Sequence, residues 1–150
     1  MDYEIHPMSM DDYAQVLCLW EATEGIGLTE SDSRDCLARY LQRNAGLSLV
    51  VRTSAGELVG AVLCGHDGAR GYLRHLAIAK DHRGRGLGKM LVEEGLSRLK
   101  SAGIPKCTIF LYAHNQEGQH FWHHVGWRRR DDLLVMQAVL SRSNADQEER

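Results

Sequence analysis

At 150 residues, with 43% hydrophobic and 25% charged side chains, the chain suits one domain with a sizeable core and has the composition of neither a disordered segment nor a repeat array. A net charge of -2 excludes the basic footprint expected of a nucleic-acid binder, and no apolar run approaches the ~20 residues needed to span a bilayer. The N-terminus, Met1-Asp2-Tyr3-Glu4-Ile5-His6, has neither the basic start nor the apolar stretch of a secretion signal. The cysteines Cys18, Cys36, Cys64 and Cys107 lack C-x-x-C spacing and stand in apolar surroundings. They read as buried free thiols in a reducing cytoplasm.

In chain order, Asp2 to Pro7 alternates and predicts a first strand. Ser9 opens a helix with Asp12 three residues on, an approximate capping box, and Val16, Leu17 and Trp20 supply its apolar face. Glu21 to Glu30 reads as a loop. Ser31 or Asp32 caps a second helix that carries Cys36, Leu37, Tyr40 and Leu41 and ends at Asn44 and Gly46. Three strands follow: Leu47 to Arg52, Glu57 to Gly65 and Ala69 to Ala79. Asp67-Gly68 predicts a tight type I′ hairpin between the last two. Leu87, Leu91, Gly95 and Leu99 then recur at helical spacing until Gly103 and Pro105 stop the helix. Cys107 to Tyr112 reads as a strand, Asn115 to Val125 as a short helix ended by Gly126, and Leu133 to Leu140 as a final strand. Residues 1–140 thus form one α/β domain of order β-α-α-β-β-β-α-β-α-β, a mixed central sheet with helices on both faces, and 141–150 form a polar tail.

Between the third of those strands and the long helix lies Arg83-Gly84-Arg85-Gly86-Leu87-Gly88. Glycines that lead from a strand into a helix leave unpaired N–H groups at the positive end of the helix dipole, a ready anion site. Arg83 and Arg85 add guanidinium groups suited to phosphate. A Walker loop fails because Met90 follows Lys89 where Ser or Thr is required. A dinucleotide fingerprint is weak, since a hairpin rather than a first βαβ unit precedes the glycines.

The run Leu76 to Gly88 resembles the signature of the GCN5-related N-acetyltransferases. A second stretch, Asn115-x-x-Gly118-x-x-Phe121-Trp122-x-x-x-Gly126-Trp127, is similar to that family's downstream motif. The likeness extends over nearly the whole chain and is strongest over residues 72–127, and the Gly65-His66-Asp67-Gly68 turn looks like that of small bacterial members of the YpeA and RimI type. It implies the acyl-CoA N-acyltransferase fold and acetyl-CoA as co-substrate. It further implies that Arg83, Gly84, Arg85, Gly86, Leu87, Gly88 and Lys89 hold the pyrophosphate and that the backbone of Leu76, Ala77 and Ile78 pairs with pantetheine. Asn115 would touch the pantetheine-phosphate region; as an Asn before a helix it is equally suited to capping.

The implied reaction is direct attack of a primary amine, on a small molecule or a peptide, on the thioester. A backbone N–H, Ala77's in this reading, would stabilise the oxyanion. His75 is the candidate base, histidine being the side chain suited to proton relay near neutral pH, though a strand histidine more often only makes a structural hydrogen bond. A water relay to Glu21 or Glu24 is the other route. Trp122 stands where the family often has a tyrosine acid, and an indole N–H does not transfer protons. Trp122 therefore reads as packing, and either Tyr112 or water supplies the thiolate's proton or the thiolate leaves directly with no acid. That substitution also leaves room for a different class of function, a non-catalytic CoA-binding sensor. Glu21, Glu24, Glu30 and Asp32 form an acidic segment that suits a cationic amine. His114, His120, His123 and His124 lack supporting carboxylates or cysteines and read as an exposed polar face, so no metal is expected. The exposed edge of the last strand offers a second copy a place to pair, as in a homodimer.

Overall fold

The computed structural model describes residues 2–141. Two compact units divide the chain, Met1–Asn115 and Gln116–Arg150.

In the first unit, β1 (Tyr3–Pro7) leads into α1 (Tyr13–Glu21) and α2 (Arg34–Arg43). These are followed by β2 (Leu49–Thr53), β3 (Leu58–His66), β4 (Gly71–Ile78), α3 (Leu87–Ser101) and the short β5 (Cys107–Thr108). The five strands form one sheet in the order β1-β2-β3-β4-β5. The first three pairings are antiparallel and β4–β5 is parallel, joined through α3. No helix among the described residues is long and apolar enough to cross a membrane.

Both faces of the sheet are covered. On one, Val16, Leu19 and Trp20 of α1 and Leu37 of α2 pack with Val50, Ala61, Leu63 and Ala77. Their i, i+3, i+4 spacing on α1 is what a single buried stripe requires. On the other, α3 buries Leu87, Leu91, Val92 and Leu99. A Cβ added at Gly95 would lie 3.3 Å from Leu73 Cδ2, so this glycine sets the close approach of helix and strand. Shortening Leu91, which is fully buried, to Ala would cost about 2–5 kcal/mol.

Several sequence expectations shift. Ser9 does open the first helix, with Asp12 Oδ2 accepting from Ser9 N at 2.9 Å, but a 3₁₀ turn over Met10–Asp12 precedes α1. The cap of α2 is Ser33, whose Oγ accepts from Cys36 N, rather than Ser31 or Asp32. Those two residues belong to a separate 3₁₀ turn, Glu30–Asp32. The β3–β4 hairpin is present, but its loop is 67–70 and only Gly68 takes a positive φ (98°). The Asp67 carboxylate, which accepts from the N–H groups of Ala69 and Arg70, shapes it in place of a type I′ turn.

The strand expected over 107–112 is ladder-paired only at Cys107 and Thr108. The strand expected over Leu133–Leu140 does not form among the described residues. Leu134, Met136 and Leu140 are more than nine-tenths exposed, and the segment has no ladder to complete it. An apolar run predicts only half a strand; the partner edge supplies the rest. The tail expected from 141 onward lies outside the described residues beyond Ser141. Of the four free cysteines, only Cys64 is buried, and Cys18 is exposed. Burial pushes the Cys64 thiol up to about 12 and the Cys107 thiol up to about 11.

In the second unit, α4 (Gln116–His124) buries Trp122, whose ring meets Trp127 at 4.7 Å. Trp127 N–H donates to Trp122 O, and Gly126, at φ 96°, makes the reversal that brings them together. Trp122 is thus a packing residue within its own unit.

Candidate active site

The loop between β4 and α3 is built to expose main chain. Gly84 and Gly86 have φ of 77° and 78°, and a Cβ on either would meet no atom within 4 Å. Gly86 is the N-cap of α3 and no side chain caps it, so the first-turn amides of this 15-residue helix keep their donors for something else. Leu87 is buried and pins the start of the helix, while Arg83, Arg85 and Lys89 are exposed around it. Arg83 Nε donates to Ile78 O at 3.0 Å, which ties the loop back to β4. His82 is buried beneath the loop, with Nδ1 2.8 Å from the Tyr3 hydroxyl of β1. These features fit a diphosphate: open backbone donors, a helix dipole and nearby cations, with no side chain plugging the turn.

Next to the loop the sheet opens. β4 pairs with β5 only at Gly71 and Tyr72 and then runs on to Ile78. Over residues 73–78, its edge away from β3 has no strand partner among the described residues. The exposed Phe110 and Tyr112 lie on the chain that leaves β5, and the Phe110 ring stacks on Tyr72.

The β3–β4 register decides which groups face that edge. Gly60 pairs with Ile78 and Ala61 with Ala77, and Ala79 N donates to Val59 O. Hydrogen-bonded and non-hydrogen-bonded pairs alternate along an antiparallel ladder. Ala77 therefore points its N–H and C=O at β3, and Ile78 points its own outward, as the Arg83 bond to Ile78 O confirms. The expectation that Ala77 supplies an oxyanion donor does not fit this register; the outward amide is that of Ile78.

The second group of site residues sits five positions before Lys80. The β3–β4 register slips between Ala61 and Leu63, so that His75 and Leu76 together oppose Val62. His75 takes φ 53°, the only positive φ among described non-glycine residues. A left-handed conformation costs a residue with a Cβ about 1–2 kcal/mol, and such strain concentrates at functional positions. The bulge also overturns simple alternation. Leu73 and Ala77, which unbroken alternation would put on one face, lie on opposite ones: Leu73 packs toward Gly95 of α3 while Ala77 lies in the α1–α2 core. His75 is turned to the α1–α2 side.

There three contacts hold it. Its Nε2 is 2.8 Å from Asp32 Oδ1, its carbonyl accepts from Trp20 Nε1 at 3.1 Å, and its ring meets Trp20 edge-on at 5.0 Å. Asp32 is only 5% exposed. Its Oδ2 accepts from Thr29 N, and its carbonyl oxygen accepts from the Tyr13 hydroxyl. Burial alone would raise the Asp32 pKa. The hydrogen bonds from His75 and Thr29 N, with the charges of His75 and Arg74, outweigh burial and lower it. Arg74 itself lies over the Tyr40 ring at 5.0 Å.

Asp32 was legible as one member of an acidic segment and as a candidate helix cap, but not as a partner of His75. Glu21, Glu24 and Glu30 remain exposed, whereas Asp32 turns inward. Tyr112 and Asn115 border the α1–α2 loop: a Cβ on Gly27 would clash with the Tyr112 hydroxyl, and one on Gly25 would stand 2.9 Å from Asn115 Nδ2. The side chains of His114, His120, His123 and His124 are exposed. Among the described residues no group of three or more His, Cys, Asp or Glu stands together to hold a metal.

An α3 N-terminus stripped of side-chain caps beside a strand that parts from its neighbour defines an acyl-CoA N-acyltransferase fold. Residues 13–127 match the model of the acetyltransferase (GNAT) family, and the chain belongs to that family. As a member it is an acyltransferase with acetyl-CoA as its co-substrate. It is 29% identical over 133 residues to an acetyltransferase of Sodalis glossinidius (strain morsitans), spanning 89% of this chain and 92% of that one. It is 28% identical over 137 residues to an acetyltransferase of Yersinia pestis (strain Pestoides F), spanning 91% and 96%. The fold matches the PaiA N-acetyltransferase of Thermoplasma acidophilum, solved with coenzyme A, at a TM-score of 0.75 and 20% identity over 87% of this chain and 92% of that one.

Proposed function

We propose that the protein moves the acetyl group of acetyl-CoA to a primary amine of a small molecule or peptide by direct attack on the thioester. The observation that carries this reading is the uncapped α3 N-terminus directly beside the unpartnered edge of β4. In this reading the diphosphate sits on the amides and cations of residues 83–89, Asn115 lies near the pantetheine-phosphate region, and pantetheine runs along Leu76 to Ile78. The outward N–H of Ile78 stabilises the oxyanion.

The amine enters on the side of His75. A lysine-like ammonium has a free pKa near ~10.4, so a proton must leave before attack, and His75 takes it. The neutral amine attacks the acetyl carbon and the C–S bond breaks. The amide nitrogen's remaining surplus proton passes to the departing thiolate through Tyr112 or water, since Trp122 cannot relay one. The exposed Glu21, Glu24 and Glu30 favour a cationic acceptor. Four free cysteines suit a reducing compartment such as the cytoplasm.

The test is release of free thiol from acetyl-CoA with a panel of primary amines, beside calorimetry with CoA. Turnover with at least one amine is the expected result. Tight CoA binding without thiol release from any amine would replace this reading with a binding module.

A further inference from the structure

Resting on the acetyl-transfer reading, we propose that Asp32 is a positioning residue that selects which nitrogen of His75 accepts the amine's proton. The carboxylate lies 2.8 Å from Nε2 and is held at both ends, by His75 on Oδ1 and by the Thr29 amide on Oδ2. An ionised carboxylate accepts hydrogen bonds and cannot donate them. In the neutral imidazole, Nε2 therefore carries the hydrogen and Nδ1 keeps the lone pair. Nδ1 is the atom that takes the proton from the ammonium. The imidazolium so formed stays bonded to Asp32 until it returns its proton to water.

Three separate features converge on this one ring. The β-bulge with φ 53° turns residue 75 away from the α3 face. Trp20, from α1, fixes both its carbonyl and its ring. Asp32, from the turn before α2, fixes its tautomer. A histidine that merely filled a strand position would need none of the strain and only one of the bonds.

The experiment is nitrogen-15 NMR of the full chain labelled at histidine, beside steady-state kinetics of Asp32→Asn and His75→Gln with acetyl-CoA and an amine that turns over. Wild-type His75 should show a protonated Nε2 and a bare Nδ1. Asp32→Asn should lose that preference and lower kcat by at least about 10-fold, a part of the ~10²–10⁴-fold that a positioned base supplies. Its KM for acetyl-CoA and its CoA affinity by calorimetry should stay within about twofold of wild type, which also shows that the variant is folded. A wild-type ring carrying its hydrogen on Nδ1, or an Asp32→Asn enzyme with unchanged kcat, overturns the positioning role while acetyl transfer stands. Unchanged kcat in His75→Gln removes the base and the positioning role together. If no amine releases thiol, acetyl transfer itself is wrong, and this role falls with it. The tautomer measurement needs no variant, so a misfolded substitution does not shield the proposal.

Discussion

The two halves of the site sit at opposite ends of one short stretch of chain and are made of different materials. The anion end, residues 83–89, is almost all backbone: glycines at positive φ, uncapped amides and a dipole, with Arg and Lys around the rim. The amine end depends on side chains: His75 of β4 meets Asp32 from the turn before α2 and Trp20 of α1, 43 and 55 residues away from it in sequence. A grip on a constant diphosphate can be built locally. An acid–base group must be aimed, and aiming takes partners from distant elements. Substitutions should therefore split cleanly, with loop changes moving acetyl-CoA affinity and cluster changes moving turnover.

The largest expected effect tests the backbone half. Gly86→Val forces a β-branched residue into φ 78°, at a cost of about 1–3 kcal/mol, and places methyl groups where a diphosphate approaches. Acetyl-CoA affinity should fall by roughly 10- to 100-fold, read by calorimetry, with kcat at saturation little changed. Gly56→Val is the control. Its φ is 88° and it too has open space around it, but it lies in the β2–β3 turn. Equal loss of CoA affinity in both variants would mean that strain, and not the anion site, is being measured.

Trp20→Phe tests the side-chain half. It keeps an aromatic ring in the core but removes the donor to the His75 carbonyl, leaving that group unpaired at about 1–3 kcal/mol. Thermal melting should drop, and kcat should fall while CoA affinity holds. A Trp20→Phe enzyme that loses CoA affinity and keeps kcat would merge the two halves into one.

That division also explains what the sequence made legible. Arg83-Gly84-Arg85-Gly86 after an apolar run and before an amphipathic helix is a local pattern, and the structure leaves Arg83, Gly84, Arg85 and Gly86 exposed with Leu87 buried at the helix start. The strands and helices from Tyr3 to Ser101 follow for the same reason, since their periods are local. His75 could be picked out as a titratable residue on the right strand, but not its orientation, because a bulge breaks the alternation on which any face assignment depends. Which of Leu76, Ala77 and Ile78 turns its amide away from β3 could not be read locally, because ladder phase depends on pairing with β3. Asp32 was invisible as a partner because its contact with His75 spans 43 residues of chain, and no local pattern reports a pairing that distant. The missing final strand belongs with these: Leu133–Leu140 carries strand composition, and pairing is a property of two segments.

A smaller effect separates the α3 face from the α1–α2 face through pH. Cys64 is fully buried on the α3 side, and its thiol is pushed up to about 12, above the unfolded value. The folded chain keeps that proton longer than the unfolded one. Its contribution is therefore complete below about pH 9 and declines as pH rises toward 12, by up to about 1.4 kcal/mol per pH unit. Urea midpoints at about pH 8 and about pH 10 should differ in wild type, and the alkaline loss should shrink in Cys64→Ala. An unchanged alkaline loss in that variant would assign it elsewhere.

Asp32 runs the other way and is the subtlest case. Its folded pKa is lowered, because the hydrogen bonds from His75 and Thr29 N, with the charges of His75 and Arg74, outweigh the burial that opposes them. A carboxyl that ionises more easily when folded stabilises the fold above its unfolded pKa, near ~3.9, and loses that contribution as pH falls through the folded value. Acid titration of wild type should thus show a loss of stability below about pH 4 that shrinks in Asp32→Asn. The Cys64 variant should keep that acid loss and Asp32→Asn should keep the alkaline one, since the two groups lie on opposite faces of the sheet and share no partner. If Asp32→Asn removed both limbs, the α1–α2 cluster and the α3 core would be a single electrostatic unit. The independence of the bulge from the helix that carries the anion site would then be lost.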